Sequence, residues 1–168
     1  METAIKKKPK SVFVEGPIAP SFLANSIEKH ATKTSIGAHE LFLGQVREDE
    51  HESSEAPRNS GAKGGDGAHT IAIEYSAYEE MANKEFHRIR EEAFDKFELT
   101  CMHIWHSLGR VNVGELGFVV FVSSAHREAA FDATRWIVEE VKNKVPIFGK
   151  ELLSDGTDLV KTNESMGQ

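Results

Sequence analysis

Cysteine is almost missing from this chain: Cys101 is the single one in 168 residues. One thiol cannot close an internal disulfide or build a multi-cysteine metal cage, which removes the disulfide scaffolds and thiolate-rich metal folds from consideration. Cys101 lies in an alternating stretch, LTCMHIWH, and reads as a small core residue rather than a nucleophile. Long apolar runs are also lacking, none approaching the roughly 18 residues of a membrane helix. Positive charge is in deficit: 20 Lys and Arg stand against 27 Asp and Glu, a net charge of −7, which argues against a nucleic-acid surface. GxGxxG and Walker-type phosphate loops are absent, and no internal repeat is apparent. The leading METAIKKKPK has a basic patch with no apolar stretch behind it, so it does not read as a secretory signal. Lys6, Lys7, Lys8 and Lys10 are read as a solvated tail over residues 1–10 rather than a nuclear address, and cytoplasm is the default location.

What is present suits one α+β domain over residues 11–165. The content of 39% hydrophobic and 28% charged residues is that of an ordinary folded chain, and the length suffices for a real core. Strands are expected at 11–18, 38–46, 70–76, 99–106, 118–123 and 158–162, with a glycine-punctuated connection over 109–117. Helices are expected at 21–30, opened by a serine cap, at 79–97, and from 125 to Pro146. Ile71, Ile73 and Tyr75 are placed on one side of their strand. In the second helix Ala82, Phe86, Ile89, Ala93 and Phe97 recur at steps of three and four. Residues 48–69, EDEHESSEAPRNSGAKGGDGAH, change abruptly to acidic and then small polar residues and read as a mobile loop. His51 and His69 lie in it with nothing to fix their geometry, so no metal site is read there. His103 and His106, three apart in a strand, point to opposite faces and cannot share a metal ion.

The chain is organised around FVVFVSSAHREAAFDATRWIVEEVKNKVPIFGKE, residues 118–151. An apolar strand stops at Ser123 and Ser124 and feeds a helix with His126 and Arg127 in its first turn and Lys142 in its last. Lys150 follows Pro146. Unpaired N–H groups and the dipole at such a helix start favour an anion, and a serine oxygen is placed to cap some of them. Arg127 adds a planar fork suited to phosphate oxygens. The same pattern is common at helix starts that hold no ligand. Gly44 in AHELFLGQVR suggests a bulge or close backbone approach that aims Arg47 off the strand end.

These segments, Phe42 to Arg47, Glu74-Tyr75, His106 to Gly114, Ser123 to Arg127, Lys142 with Val145-Pro146, and Lys150-Glu151, give the chain a resemblance to the large, catalytic subunit of molybdopterin synthase, the MoaE family. The resemblance implies an α+β fold with a mixed or antiparallel sheet, about three helices and a hammerhead-like subdomain. It implies a sulfur transferase that converts a cyclic pyranopterin monophosphate (precursor Z) into molybdopterin. Sulfur would come from the thiocarboxylated C-terminus of a small ubiquitin-like partner of the MoaD type, with two large subunits forming the centre of a heterotetramer. No resident cofactor and no metal are implied. Substrate contacts would come from Gln45, Arg47, His126, Arg127, Lys142, Gly149, Lys150 and Glu151, with Lys142 and Lys150 catalytic. A desolvated lysine beside other cations can serve as general acid or base, attack a carbonyl carbon, or form a transient covalent link to the partner. The sequence leaves these three roles open.

Two positions depart from the family pattern. Gly149 stands where the second catalytic lysine is usual, and Lys150, freed by that glycine, is expected to take its place. Asn163 stands where a C-terminal arginine is usual, with Lys161 as the replacement charge. The Gly149 departure also motivates a second reading, a non-catalytic scaffold for a ubiquitin-like partner. A third is an unrelated phosphate-binding module.

Overall fold

The computed structural model describes residues 12–51 and 67–161. The expected basic tail, the interior of the 48–69 segment and Asn163 fall outside the described residues. The element order is β1 (Phe13–Glu15), α1 (Ser21–His30), β2 (Ala38–Gln45), β3 (Glu50–His51), β4 (Ala68–Ala77), α2 (Glu79–Lys96), β5 (Leu99–Asn112), β6 (Leu116–Ser124), α3 (Arg127–Lys144), β7 (Ile147–Leu153) and β8 (Asp158–Lys161). Six strands run β2-β6-β5-β4-β7-β8 in an eight-stranded sheet, with β1 added to β5 and β3 to β4. Among the described residues, the β1–β5 pairing is the parallel one and the other pairings are antiparallel. This is the expected α+β fold with a mixed sheet.

The central strand β6 explains the layering. Its residues are buried on both faces because it lies between β2 and β5 and is covered above and below. Phe118, Val120 and Val122 join Ala82, Phe86 and Ile89 of α2 and Ala130, Ile137 and Val141 of α3 in the main core. Val119 points to the other face, where it meets Leu23 of α1 and Ile18. Fully burying one such aliphatic side chain contributes about 1.5–3 kcal/mol, so the apolar stripes of α2 and α3 suffice to dock both helices. Arg88 fastens these helices to each other by bonding Glu85 and Glu92 on its own helix and Glu140 on α3, at 2.8, 2.5 and 3.0 Å.

Several expectations are corrected. The cap of α1 is Pro20, with no side-chain cap bond, because Ser21 already belongs to the helix. At α3, His126 is the cap residue in extended conformation, and the Ser124 hydroxyl donates to the His126 carbonyl instead of accepting from the first N–H groups. Strand β5 does not end at residue 106 but runs on through Asn112. Gly109, at φ 75°, absorbs the irregularity that read as a connection; a Cβ there would meet the Glu15 carboxylate at 2.7 Å.

The ends of the 48–69 segment are ordered into a ladder, Glu50 opposite His69 and His51 opposite Ala68. In β4 the register shifts between Thr70 and Ala72, so Ile71 is exposed while Thr70 and Ala72 are buried. Strand β7 went unrecognised in the sequence. Its buried face reads Ile147, Gly149, Glu151, Leu153, and a glycine and a glutamate at inward positions erase the apolar alternation that marks a strand.

Candidate functional site

Strand β2 ends in a bulge between Gly44 and Gln45, as the glycine suggested. A Cβ at Gly44 would come within 3.2 Å of the Cβ and carbonyl oxygen of Phe118, so glycine is what lets β2 lie this close to β6 at that residue. Across the sheet, Gly117 makes room for Tyr75, whose ring would be 3.1 Å from a Cβ there. Between these close approaches opens a narrow cleft of about 100 Å³, lined by Gly44, Gln45, Tyr75, His106, Phe118 and Lys142, with Val141, Val145 and Ile147 closing its wall. Lys142 is carried there by the last turn of α3, which Pro146 stops so that the chain can turn into β7. Lys142 is half-buried, one cation in a recess otherwise lined by uncharged side chains.

His106 and Tyr75 shape the electrostatics. The Nδ1–H of His106 donates to the Ser107 carbonyl at 2.9 Å, leaving Nε2 as the acceptor nitrogen. Burial pushes the His106 pKa down to about 4, with the Lys142 charge acting in the same direction, so the ring is neutral at physiological pH. Tyr75 meets His106 edge-on at 5.1 Å. Burial, with the Glu151 carboxylate adding to it, raises the Tyr75 phenol to about 12, so it stays a protonated donor. Neither residue was expected to be a site residue. The signal available was their place in the segments that carry the family resemblance.

The expected site residues divide. Gln45 and Lys142 line the cleft together. Glu151 is 1% exposed on the inward face of β7, beside the His51 ring at 3.3 Å, and its charge acts on Tyr75 in the cleft. Arg47 lies just beyond Gln45, its side chain 77% exposed and forked onto Asp49 at 2.5 and 3.1 Å. That fork raises an already high pKa.

Lys150 is not in the cleft. Successive residues of a strand face opposite ways, so Lys150 points away from Ile147, Gly149 and Glu151. It lies 3.8 Å from Glu74 and 3.5 Å from Asp158, in an adjoining cavity of about 340 Å³ that includes Gly149 and meets the first cleft at Tyr75. The freedom of Gly149 does not reverse this, because both residues are held in ladders on two sides. Lys161 is the backbone partner of Gly149 across the β7–β8 ladder. His126 and Arg127 are exposed at the far end of α3. Fifteen residues at 1.5 Å each put Arg127 about 22 Å from Lys142 along the axis. The idea that both ends of one helix serve one pocket therefore fails within a single chain.

A mixed sheet with helices on both faces and a lysine in a narrow recess defines the class, an α+β protein with a cationic cleft. Comparison with known proteins narrows this. The family model described as MoaE protein matches residues 18–144. The molybdopterin synthase catalytic subunit of Pyrococcus abyssi is 37% identical over 155 residues, covering 92% of this chain and 88% of that one. Its counterpart in Bacillus subtilis is 35% identical over 131 residues, covering 78% and 74%. The crystal structure of molybdopterin synthase from Staphylococcus aureus superposes with a TM-score of 0.70 at 27% identity, covering 89% and 95%. A complex of subunits 1 and 2 of molybdopterin-converting factor from Helicobacter pylori, at 0.67 and 19% identity over 89% and 88%, shares the fold. This chain belongs to the MoaE family.

Proposed function

We infer that this chain is the catalytic subunit of a molybdopterin synthase. It transfers sulfur from the thiocarboxylated C-terminus of a small ubiquitin-like partner to a cyclic pyranopterin monophosphate. The observation that carries the reading is Lys142 in the lining of a recess of about 100 Å³. That volume admits the extended end of a peptide but is well below the roughly 300–1,000 Å³ of ordinary small-molecule pockets. The partner's tail therefore enters the recess, and the pterin binds at its mouth.

When the sulfur has bonded to the substrate, water adds to the partner's acyl carbon and the acyl–sulfur bond breaks to leave a carboxylate, so negative charge passes between the sulfur and the acyl oxygen. An ammonium in a partly enclosed recess stabilises that charge more than it could in bulk water. Lys142 performs this role, and the Tyr75 phenol and neutral His106 position the tail without adding competing charge. Gln45 and Arg47 at the end of β2 contact the substrate outside the recess. His126 and Arg127 bind its phosphate from a second copy of the chain, since α3 is too long for one copy to bring both ends together. Lys150 is a surface cation held by Glu74 and Asp158 and takes no direct part.

The test is reconstitution from purified components. Mixing the protein with thiocarboxylated partner and precursor yields molybdopterin, and Lys142→Ala lowers turnover by at least about 100-fold, the scale of a lost charge-stabilising group. Full activity in Lys142→Ala, or no product from the wild type while the partner still binds, overturns the assignment; the latter result favours the scaffold reading.

A further inference from the structure

On the face of the sheet opposite the cleft, the C-terminal turn of α1 meets β5. His30 ends that helix, while Cys101 and His103 are two apart on one strand and so share a face. These three residues offer ligand atoms that all lie within 4.8 Å of one another. Cys101 Sγ and His103 Nε2 are 3.2 Å apart, and the His30 and His103 rings meet edge-on at 5.4 Å.

His30 is the telling member. Only 7% exposed, it directs Nδ1 at the Ser26 carbonyl at 2.5 Å, so Nδ1 carries the proton and Nε2 keeps its lone pair. That Nε2 is buried and makes no hydrogen bond. A buried acceptor left unsatisfied costs about 1–3 kcal/mol. An imidazole whose other nitrogen donates to a backbone carbonyl is also the standard arrangement of a metal-bound histidine, since the second bond fixes both tautomer and ring orientation. His103 is held as well, stacked on Trp105 at 5.4 Å and 8°.

We propose that His30, Cys101 and His103 form a binding site for a borderline-soft divalent cation of the zinc class. Two imidazoles and a thiolate suit that ion, with a fourth position left for water. Ligand atoms around tetrahedral zinc stand about 3.4–3.6 Å apart, so the cluster needs to contract by roughly 1 Å. On binding, the Cys101 thiol releases its proton to solvent and a sulfur–metal bond forms, with no change of oxidation state. The ion joins the end of α1 to β5. The sulfur-transfer cleft, on the other side of the sheet, is not involved.

Chelator-treated protein titrated with Zn²⁺ in equilibrium dialysis should take up one ion per chain with a rise in Tm. Co²⁺ in its place should show a thiolate charge-transfer band. Cys101→Ser and His103→Ala are half-buried changes expected to fold, and each should weaken Zn²⁺ binding by at least about 100-fold and abolish the Co²⁺ band. Sulfur transfer by Cys101→Ser should match the wild type, which separates this site from the assignment of function. Absence of stoichiometric Zn²⁺, or uptake unchanged in both variants, overturns the proposal; unchanged uptake would place the ion at other histidines.

Discussion

His106 is a buried histidine whose titration is measurable. Its folded pKa of about 4 lies below the ordinary value of 6.5, so between those values the unfolded chain binds the extra proton. Its contribution to stability is complete above pH 6.5 and is lost as pH falls toward 4, by up to about 3 kcal/mol. Urea denaturation at pH 7 and pH 4.5 should therefore show a steeper loss in the wild type than in His106→Gln. Equal losses would mean that the ring is hydrated. Cys101, read as a plain core residue, lies beside His103 instead, and no sequence pattern links that strand to His30 at the end of a helix in another part of the chain.

At the scale of elements, the alternation of β7 decides which cation can reach the cleft. Position 149, not 150, shares the inward face with Ile147, so Gly149→Lys should raise turnover while Lys150→Ala should change it by less than about threefold. A reversed ranking in the reconstituted assay would mean that β7 rearranges when substrate binds. The α2–α3 pairing makes a second prediction. Arg88 reaches Glu85, Glu92 and Glu140 at once and is only partly exposed, so Arg88→Met should cost about 1–2 kcal/mol. Because the ion pairs are partly screened, that cost should shrink in 1 M salt. A Tm equal to the wild type at low salt would show that apolar packing alone holds the two helices. The stripes of α2 and α3 were legible from their spacing, whereas β7 was not, since its inward glycine and glutamate carry no apolar period.

For the whole molecule, the distance between the ends of α3 is the controlling fact. If one copy supplies Lys142 and the other His126 and Arg127, then Lys142→Ala and Arg127→Ala are inactive alone and complement each other when mixed. Half the dimers in an equal mixture then carry both variants, each with one intact site of two, so about a quarter of wild-type activity should return. No recovery after verified subunit exchange would confine the site to one copy.

Composition and periodicity alone determined the α+β class, the three helices to within two residues at each end and the irregularity at Gly44, because each depends on neighbours within a few residues. The tertiary structure decided which of those cations meet, which way β7 faces, and that His106 and Tyr75 line the recess. Those outcomes depend on ladder register and on how far apart a rigid helix holds its two ends, and register is set by contacts between segments distant in the chain.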